Sequence, residues 1–263
     1  MRPFDSRRGM ITATRQMRSA LAAAVVLLIM TASGESPADG PEAEFRFTRL
    51  QYVDAGVGLS FGGWRGGSWL VDYPEAEIHF REAVERLTRV EFGEPGMVSL
   101  HDDTLFDYPW LYAVEVGQWY LDETEAAQLR EYLLRGGFLM VDDFHGTREW
   151  QGFVASMSRV FPDRPIVDIE EQDEVLHVLY DVDQFTQIPG VAALRRGRTY
   201  ESDGYTPYWR GIYDDDGRLM VAINFNMDLG DAWEHADDPS YPEPMTALAY
   251  RFAVNYVIYA MTH

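Results

Sequence analysis

Two amino acids are missing from this chain of 263 residues, and each absence excludes a class of chemistry. Without cysteine there are no disulfides, thiolate nucleophiles or cysteine metal ligands. Without lysine there is no Schiff-base catalysis and no phosphate-loop lysine. The sequence G-x-S-x-G occurs once, as GLSFG at 58–62, but it lies in a glycine-rich loop rather than at a tight strand-to-helix turn, so the nucleophile elbow of a serine hydrolase is not expected. Any catalysis would therefore depend on carboxylates, histidine or a bound metal ion.

Positive charge is scarce. The chain has 43 acidic and 22 basic residues, a net charge of −21, and the acids are spread along its length. Because phosphate binding needs a basic face, we expect no nucleic-acid partner. Acidity of this kind aids solubility and can attract cations.

The N-terminus has the pattern of a targeting segment. Five arginines precede an apolar run from Ala20 to Ala32, which is short for a membrane span. We predict a signal peptide or membrane-targeting segment at 1–34, a linker rich in Pro, Gly and acid at 35–44, and a single domain at 45–263. The protein is then exported, periplasmic or extracellular. An uncleaved N-terminal anchor is the alternative and would be its only contact with a membrane.

Apolar runs of strand length alternate with helical patterns, as in an α/β protein. The predicted strands lie at 45–52, 97–100, 110–116, 138–141 and 166–169, and the predicted helices at 74–89, 122–135, 149–161 and 244–261. Residues 209–213 and 218–225 form a predicted β-hairpin, 173–205 reads as loops and short elements, and 226–241 reads as a polar loop. The fold class is therefore α/β, with a mainly parallel open sheet, helices on both faces and a hairpin at a mixed edge.

Polar residues follow the buried run Phe138 to Val141, where ligands sit in open α/β sheets. Asp142, Asp143 and His145 come directly after it, and we expect Glu234 to join them from the loop at 226–241. These four are the candidate catalytic residues. Carboxylates with imidazole suit a divalent metal, for which Asp143 and His145 are the candidate ligands. A structural polar network is the alternative, since buried polar groups normally hydrogen-bond to one another.

A second set of residues suggests ligand binding. It combines acids with aromatic rings in the loops after predicted strands, as carbohydrate sites do, and comprises Asp72, Tyr73, Trp209, Asp228 and Trp233. Trp64 and Trp69 lie in a glycine-rich loop that could cover a ligand, although its spacing matches no dinucleotide or phosphate-loop motif. The aromatic residues could equally be core residues.

Several longer stretches together resemble one bacterial family. They are GGFLMVDDFHG, VFPDRPI, YWRGIYDDDGRLMVAI, MDLGDAWEHADDP, YPE and VNYVIYAMTH. Between Phe45 and His263 the chain is similar to the domain of unknown function numbered forty-one fifty-nine. That resemblance implies a class I glutamine-amidotransferase-like, flavodoxin-like fold, and it implies no activity. The amidotransferases of this superfold use a cysteine nucleophile, which this chain lacks, so their chemistry does not carry over.

Two function classes remain open. One is a non-catalytic amidotransferase-like domain that binds a small polar ligand, such as a carbohydrate, or a partner protein. The other is a metal- or carboxylate-dependent hydrolase whose site lies in the DDFH and DLGDAWEH loops. A divalent metal is the only cofactor that the residues suggest.

Overall fold

The computed structural model of the protein describes residues 43–55 and 67–263. The predicted targeting segment, nearly all of the predicted linker, and Trp64 lie outside these residues. The described residues belong to one compact unit, Ala43–His263. No helix within 43–55 or 67–263 has the length and apolar character needed to cross a membrane.

Nine strands and six helices make up the described part of the chain. The strands are β1 Thr48–Gln51, β2 Val53–Asp54, β3 Gly96–Ser99, β4 Trp110–Val114, β5 Trp119–Tyr120, β6 Phe138–Asp142, β7 Val167–Asp168, β8 Tyr208–Tyr213 and β9 Leu219–Phe225. The helices are α1 Glu75–Leu87, α2 Glu123–Leu134, α3 Gly146–Val160, α4 Val191–Arg195, α5 Leu229–Glu234 and α6 Glu243–Thr262.

Seven strands form one sheet in the order β3-β1-β4-β6-β9-β8-β7, and β2 pairs separately with β5. The pairs β1–β3, β1–β4, β4–β6 and β6–β9 are parallel, whereas β8 runs antiparallel to both β9 and β7. This confirms the predicted α/β class, the mainly parallel sheet and the hairpin at its mixed edge. The five parallel strands, counted along the chain, lie in the order 2-1-3-4-5.

Helices cover both faces of the sheet, which explains the unbroken apolar run in β6. On one face Phe138 and Met140 pack in a core that includes Phe80 of α1 and Phe252 of α6. On the other face Leu139 and Val141 pack in a second core, to which α2 contributes Leu129 and α3 contributes Phe153. A strand buried on both sides has no polar face, so alternation is lost.

Both predicted ends of α2 are confirmed. The Asp122 side chain accepts hydrogen bonds from the backbone N–H groups of Thr124 and Glu125, and Glu125 reaches back to the Asp122 N–H. This reciprocal pair is a capping box. At the other end Gly136 has φ 107°, the left-handed conformation that glycine adopts most easily.

Two elements differ from the predicted pattern. Helix α3 begins at Gly146, three residues before the predicted start, because Asn226 and Asp203 accept from the N–H groups of Gly146 and Thr147. These acceptors are distant in sequence. The predicted loop at 226–241 contains the short helix α5, whose first turn is also held by acceptors from elsewhere in the fold.

Candidate functional site

Three neighbouring parallel strands end in the same unusual backbone turn. The first residue after β4 is Glu115, after β6 it is Asp143 and after β9 it is Asn226, and their φ angles are 54°, 50° and 62°. Side-chain-bearing residues seldom occupy this left-handed region, and they do so preferentially at functional sites. Polar side chains are thereby gathered at the carboxyl edge of the sheet, where the sequence predicts a site.

The centre of the site is a buried group of three carboxylates. Asp72, Asp143 and Asp228 each contribute one oxygen, and the three oxygens lie within 4.8 Å of one another. All three side chains are buried, and burial raises the pKa of each carboxyl well above its usual range. The neighbouring carboxylates raise these pKa values further, because like charges oppose ionisation. Asp72 Oδ2 has no hydrogen-bond partner within the described residues.

Asp142 holds the backbone of helix α5. Its Oδ2 atom accepts from the N–H groups of Leu229 at 2.8 Å and Gly230 at 2.9 Å, and from the Tyr112 hydroxyl at 3.2 Å. Burial raises the pKa of Asp142 to about 7, although these hydrogen bonds oppose the shift. The geometry gives this predicted catalytic residue a structural contact, and its catalytic role stays a prediction.

His145 is joined to the buried carboxylates through Asp143. The His145 Nε2 atom lies 3.0 Å from Asp143 Oδ1, and the side chain is only 7% exposed. Burial lowers the pKa of His145 to about 4, so the ring is neutral at pH 7. A neutral ring that donates from Nε2 to a carboxylate has an acceptor at Nδ1. His145 Nδ1 has no partner among the residues described.

Glu115, Glu149 and Glu201 form a second set of carboxyls around this centre. Burial, together with the charges of Glu149 and Glu201, raises the pKa of Glu115 to about 8. Glu201 lies close to Asp228, because a Cβ atom added to Gly190 would lie 2.8 Å from Glu201 Oε1 and 2.7 Å from Asp228 Oδ2. Sequence reasoning did not select these glutamates. Glu115 had a signal, as the acid that interrupts the predicted strand 110–116, but Glu201 lies in a weak pattern with none.

Glu234 lies in another group, on helix α5. Its carboxylate, that of Asp231 and the His235 ring each offer one ligand atom within 4.8 Å of the others. Their side chains are between 13 and 28% exposed, so this group is nearer the surface than Asp143. The structure therefore brings Asp72, Asp143, His145 and Asp228 together, and leaves Glu234 in a neighbouring cluster.

The predicted aromatic ligand residues lie apart from one another. Tyr73, which follows Asp72, is 43% exposed. Trp209 is buried and stacks on Phe252, while Trp233 is fully buried against Phe47 and Phe80. Neither tryptophan presents an open ring face. Their ligand-binding role stays a prediction that the geometry does not favour.

The chain matches a known protein family over most of its length. Residues 46–261 match the protein family described as "Domain of unknown function (DUF4159)". The match covers nearly all of the domain that carries the site. No curated protein matches the chain.

Proposed function

We propose a function for this chain, which belongs to the DUF4159 family. It binds a divalent cation between Asp72, Asp143 and Asp228 and acts there on a polar ligand as a hydrolase. The description of the family names no activity, so the site carries the proposal. The observation that carries the proposal is the convergence of these three buried carboxylates. Oxygens held about 2.4 Å from one cation lie at most about 4.8 Å apart, so these three are close enough to share one ion.

The charges support a cation rather than hydrogen bonding alone. Like charges this close cannot all remain ionised unless a positive charge joins them. The nearby Arg49 is already paired with the buried Glu77, at 2.5 Å. An unpartnered buried oxygen such as Asp72 Oδ2 carries a desolvation cost that a metal–oxygen bond would remove. Three oxygen donors suit Mg²⁺, Mn²⁺ or Ca²⁺.

A cation here would supply the chemistry that the composition otherwise lacks. A bound divalent ion lowers the pKa of a coordinated water and polarises a substrate oxygen. The chain's own contribution is His145, whose unpartnered Nδ1 atom can accept a proton and whose ring is oriented by Asp143. This is the hydrolase function expected from the DDFH and DLGDAWEH loops, with Asp72 added.

The strand order supports a finer fold assignment. The order 2-1-3-4-5 of the parallel strands is that of flavodoxin-like proteins, whose ligands sit where the order reverses, beside the first and third strands. Here these are β1 and β4, after which Asp72 and Glu115 follow. We therefore also propose a flavodoxin-like, amidotransferase-like fold. The amidotransferases of that fold use a cysteine nucleophile, whereas this chain has carboxylates at the ends of its strands.

A second candidate function is binding of a carbohydrate without catalysis. A cleft of about 230 Å³ beside the site has aromatic and polar walls, formed by Gly146, Thr147, Trp150, Asp203, Tyr205, Thr206, Tyr208, Phe225 and Asn226. Sugars stack on aromatic rings and donate hydrogen bonds to acids. The cleft adjoins the site, because Gly146 follows His145 and Asn226 precedes Asp228 by two residues. A protein partner would be a further occupant of this cleft.

Metal content tests the first proposal. The full chain, purified without a histidine tag, should bind Mn²⁺, Mg²⁺ or Ca²⁺ in an equilibrium titration followed by elemental mass spectrometry. At a free ion concentration about 100 times the dissociation constant, the ion should stabilise the fold by about 2.7 kcal/mol and raise the melting temperature by roughly 5–10 °C. Asp143→Asn should lose the ion held by the buried carboxylates and the stabilisation that this ion gives, because it removes a buried ligand charge.

The matched control is Asp163→Asn, which changes an exposed acid outside the site. It should bind the ion like the wild type. Circular dichroism of each variant separates lost binding from lost folding. A folded wild type that binds none of these ions, or an Asp143→Asn variant that binds normally, would rule out the cation site.

Export is proposed on separate grounds. The arginines and apolar run at 1–34 support a signal peptide, or an uncleaved anchor, and placement of the domain in the periplasm or outside the cell. The N-terminal sequence of the protein recovered from its native cells tests this. Cleavage near residue 34 is expected, and a cytoplasmic chain that retains residues 1–34 would contradict export.

A further inference from the structure

Helix α5 carries a second group of metal-ligand side chains. Asp231 and Glu234 lie on it and His235 is its C-cap residue, and the spacings of three and four residues from Asp231 place them on one side of the helix. His235 Nε2 is 3.5 Å from Asp231 Oδ1 and 3.7 Å from Glu234 Oε2. These separations are longer than a normal hydrogen bond. Ligand atoms about 2.1 Å from a shared ion, at tetrahedral angles, lie about 3.4 Å apart.

Asp231 keeps a free oxygen for such an ion. Its Oδ2 atom accepts from the Val191 N–H at 2.7 Å, which fixes the carboxylate and leaves Oδ1 on the side of His235. Asp228, the N-cap of α5, accepts from the Asp231 N–H at 2.7 Å. One short helix therefore carries a ligand of the buried carboxylate site at its start and this second group toward its end.

A buried, unpartnered oxygen faces the same helix. Asp72 is 9% exposed, and its Oδ2 atom has no partner in the described part of the chain. This oxygen lies against α5, since a Cβ atom added to Gly230 would be only 2.2 Å from it. Asp72 thus belongs to the buried carboxylate group and also lies beside Gly230, the residue before Asp231, so its two oxygens can join the two groups.

We propose that Asp231, Glu234 and His235 bind a second divalent cation, with Asp72 shared between this ion and the one held by Asp143 and Asp228. The donor set of two carboxylates and one imidazole suits Zn²⁺ or Mn²⁺. Two ions that share a carboxylate would stabilise both the attacking and the leaving oxygen of a hydrolysed ester. The proposal that the two ions act as a pair rests on the proposed function. The proposal that the second ion binds does not.

The experiment counts the Mn²⁺ ions bound per full chain by equilibrium titration and elemental mass spectrometry. The wild type should bind two. Asp143→Asn should bind one, because only the buried site is damaged, and the double variant Glu234→Gln/His235→Asn should also bind one. The control His177→Asn/Asp181→Asn removes another His–carboxylate pair, 2.9 Å apart and exposed, and should still bind two.

Electron paramagnetic resonance of the Mn²⁺-loaded protein tests whether the ions are neighbours. Two ions about 3.5–4 Å apart give an exchange-coupled signal, which should disappear in both single-site variants. A wild type that binds one ion, retained in Glu234→Gln/His235→Asn, overturns the second site and leaves the proposed function intact. One ion that is lost in that variant but kept in Asp143→Asn overturns the buried site instead. A wild type that binds no ion overturns both.

Discussion

At the scale of single residues, the site depends on how closely carboxylates approach one backbone position. Gly190 has φ −63°, which any residue can adopt, so glycine is not required here for its backbone conformation. It is required because a side chain would have no room. Asp228 Oδ2 and Glu201 Oε1 occupy the region that a methyl group would fill. A substitution of Gly190 therefore displaces the carboxylates without removing any of their charges.

Gly190→Ala should lower the affinity for the divalent cation at least tenfold. The added methyl group forces Asp228 and Glu201 apart, which moves a ligand oxygen away from the ion. Isothermal titration with Mn²⁺ measures the change. Gly96→Ala is the control, because its methyl group would meet only the Arg46 side chain at 3.4 Å, an ordinary contact. Unchanged affinity in Gly190→Ala would show that Asp228 is not a ligand.

At the scale of secondary-structure elements, helix α5 brings the two acid groups together. It has only six residues, Leu229–Glu234, too few to be stable alone. Its first turn is held from outside by Asp142 and from within by the N-cap Asp228. The site therefore depends on a hydrogen-bonded helix start rather than on helix propensity.

The two substitutions Asp142→Asn and Asp142→Ala separate a structural role of Asp142 from a catalytic one. An amide oxygen can still accept from the Leu229 and Gly230 N–H groups, so Asp142→Asn should keep its stability and bind the cation. Asp142→Ala leaves these donors unpaired and should cost about 1–3 kcal/mol in the free energy of unfolding. Urea denaturation measures this loss. If the alanine variant is as stable as the wild type, Asp142 does not hold α5.

Helices and strands were predictable from the sequence where neighbouring residues determine their ends or where burial determines their apolar pattern. The capping box at Asp122 and the glycine pair at Gly136 fix the ends of α2 through neighbouring residues, and the apolar run 138–141 reflects burial on both faces. Helix α5 and the start of α3 were missed because their caps come from Asp142, Asn226 and Asp203, which are distant in sequence.

The same division applies to the site. Asp143 and His145 were predictable from their position directly after a buried strand, which is a property of the local sequence. The sequence also predicted that the loop with Asp228 lies beside them, but it left Asp72 in a separate cluster, because the loop that carries Asp72 meets theirs only when β1 and β6 lie in one sheet. Glu201 comes from a region of irregular structure, so no periodic pattern identified it.

At the scale of the whole molecule, buried acids make the stability of the metal-free protein depend on pH. Burial raises the pKa of Glu115 to about 8 and that of Asp142 to about 7. In the unfolded chain these carboxyls titrate near about 4. The folded state therefore binds more protons between these values, and stability falls as pH rises through this window. The net charge of −21 adds repulsion in the same direction.

In a chelator, the melting temperature should therefore fall steadily between pH 5 and pH 8.5. Glu115→Gln removes one titrating carboxyl. It should reduce the slope of the unfolding free energy against pH by up to about 1.4 kcal/mol per pH unit. Saturating Mn²⁺ should also flatten the profile, because the cation holds the site carboxylates in their ionised form. Since exposed carboxyls are fully ionised above about pH 6, they contribute little to the slope there. A melting temperature that stays constant or rises over this range without metal would mean that Glu115 and Asp142 are ionised in the folded protein, and the site would then need no cation to balance its charge.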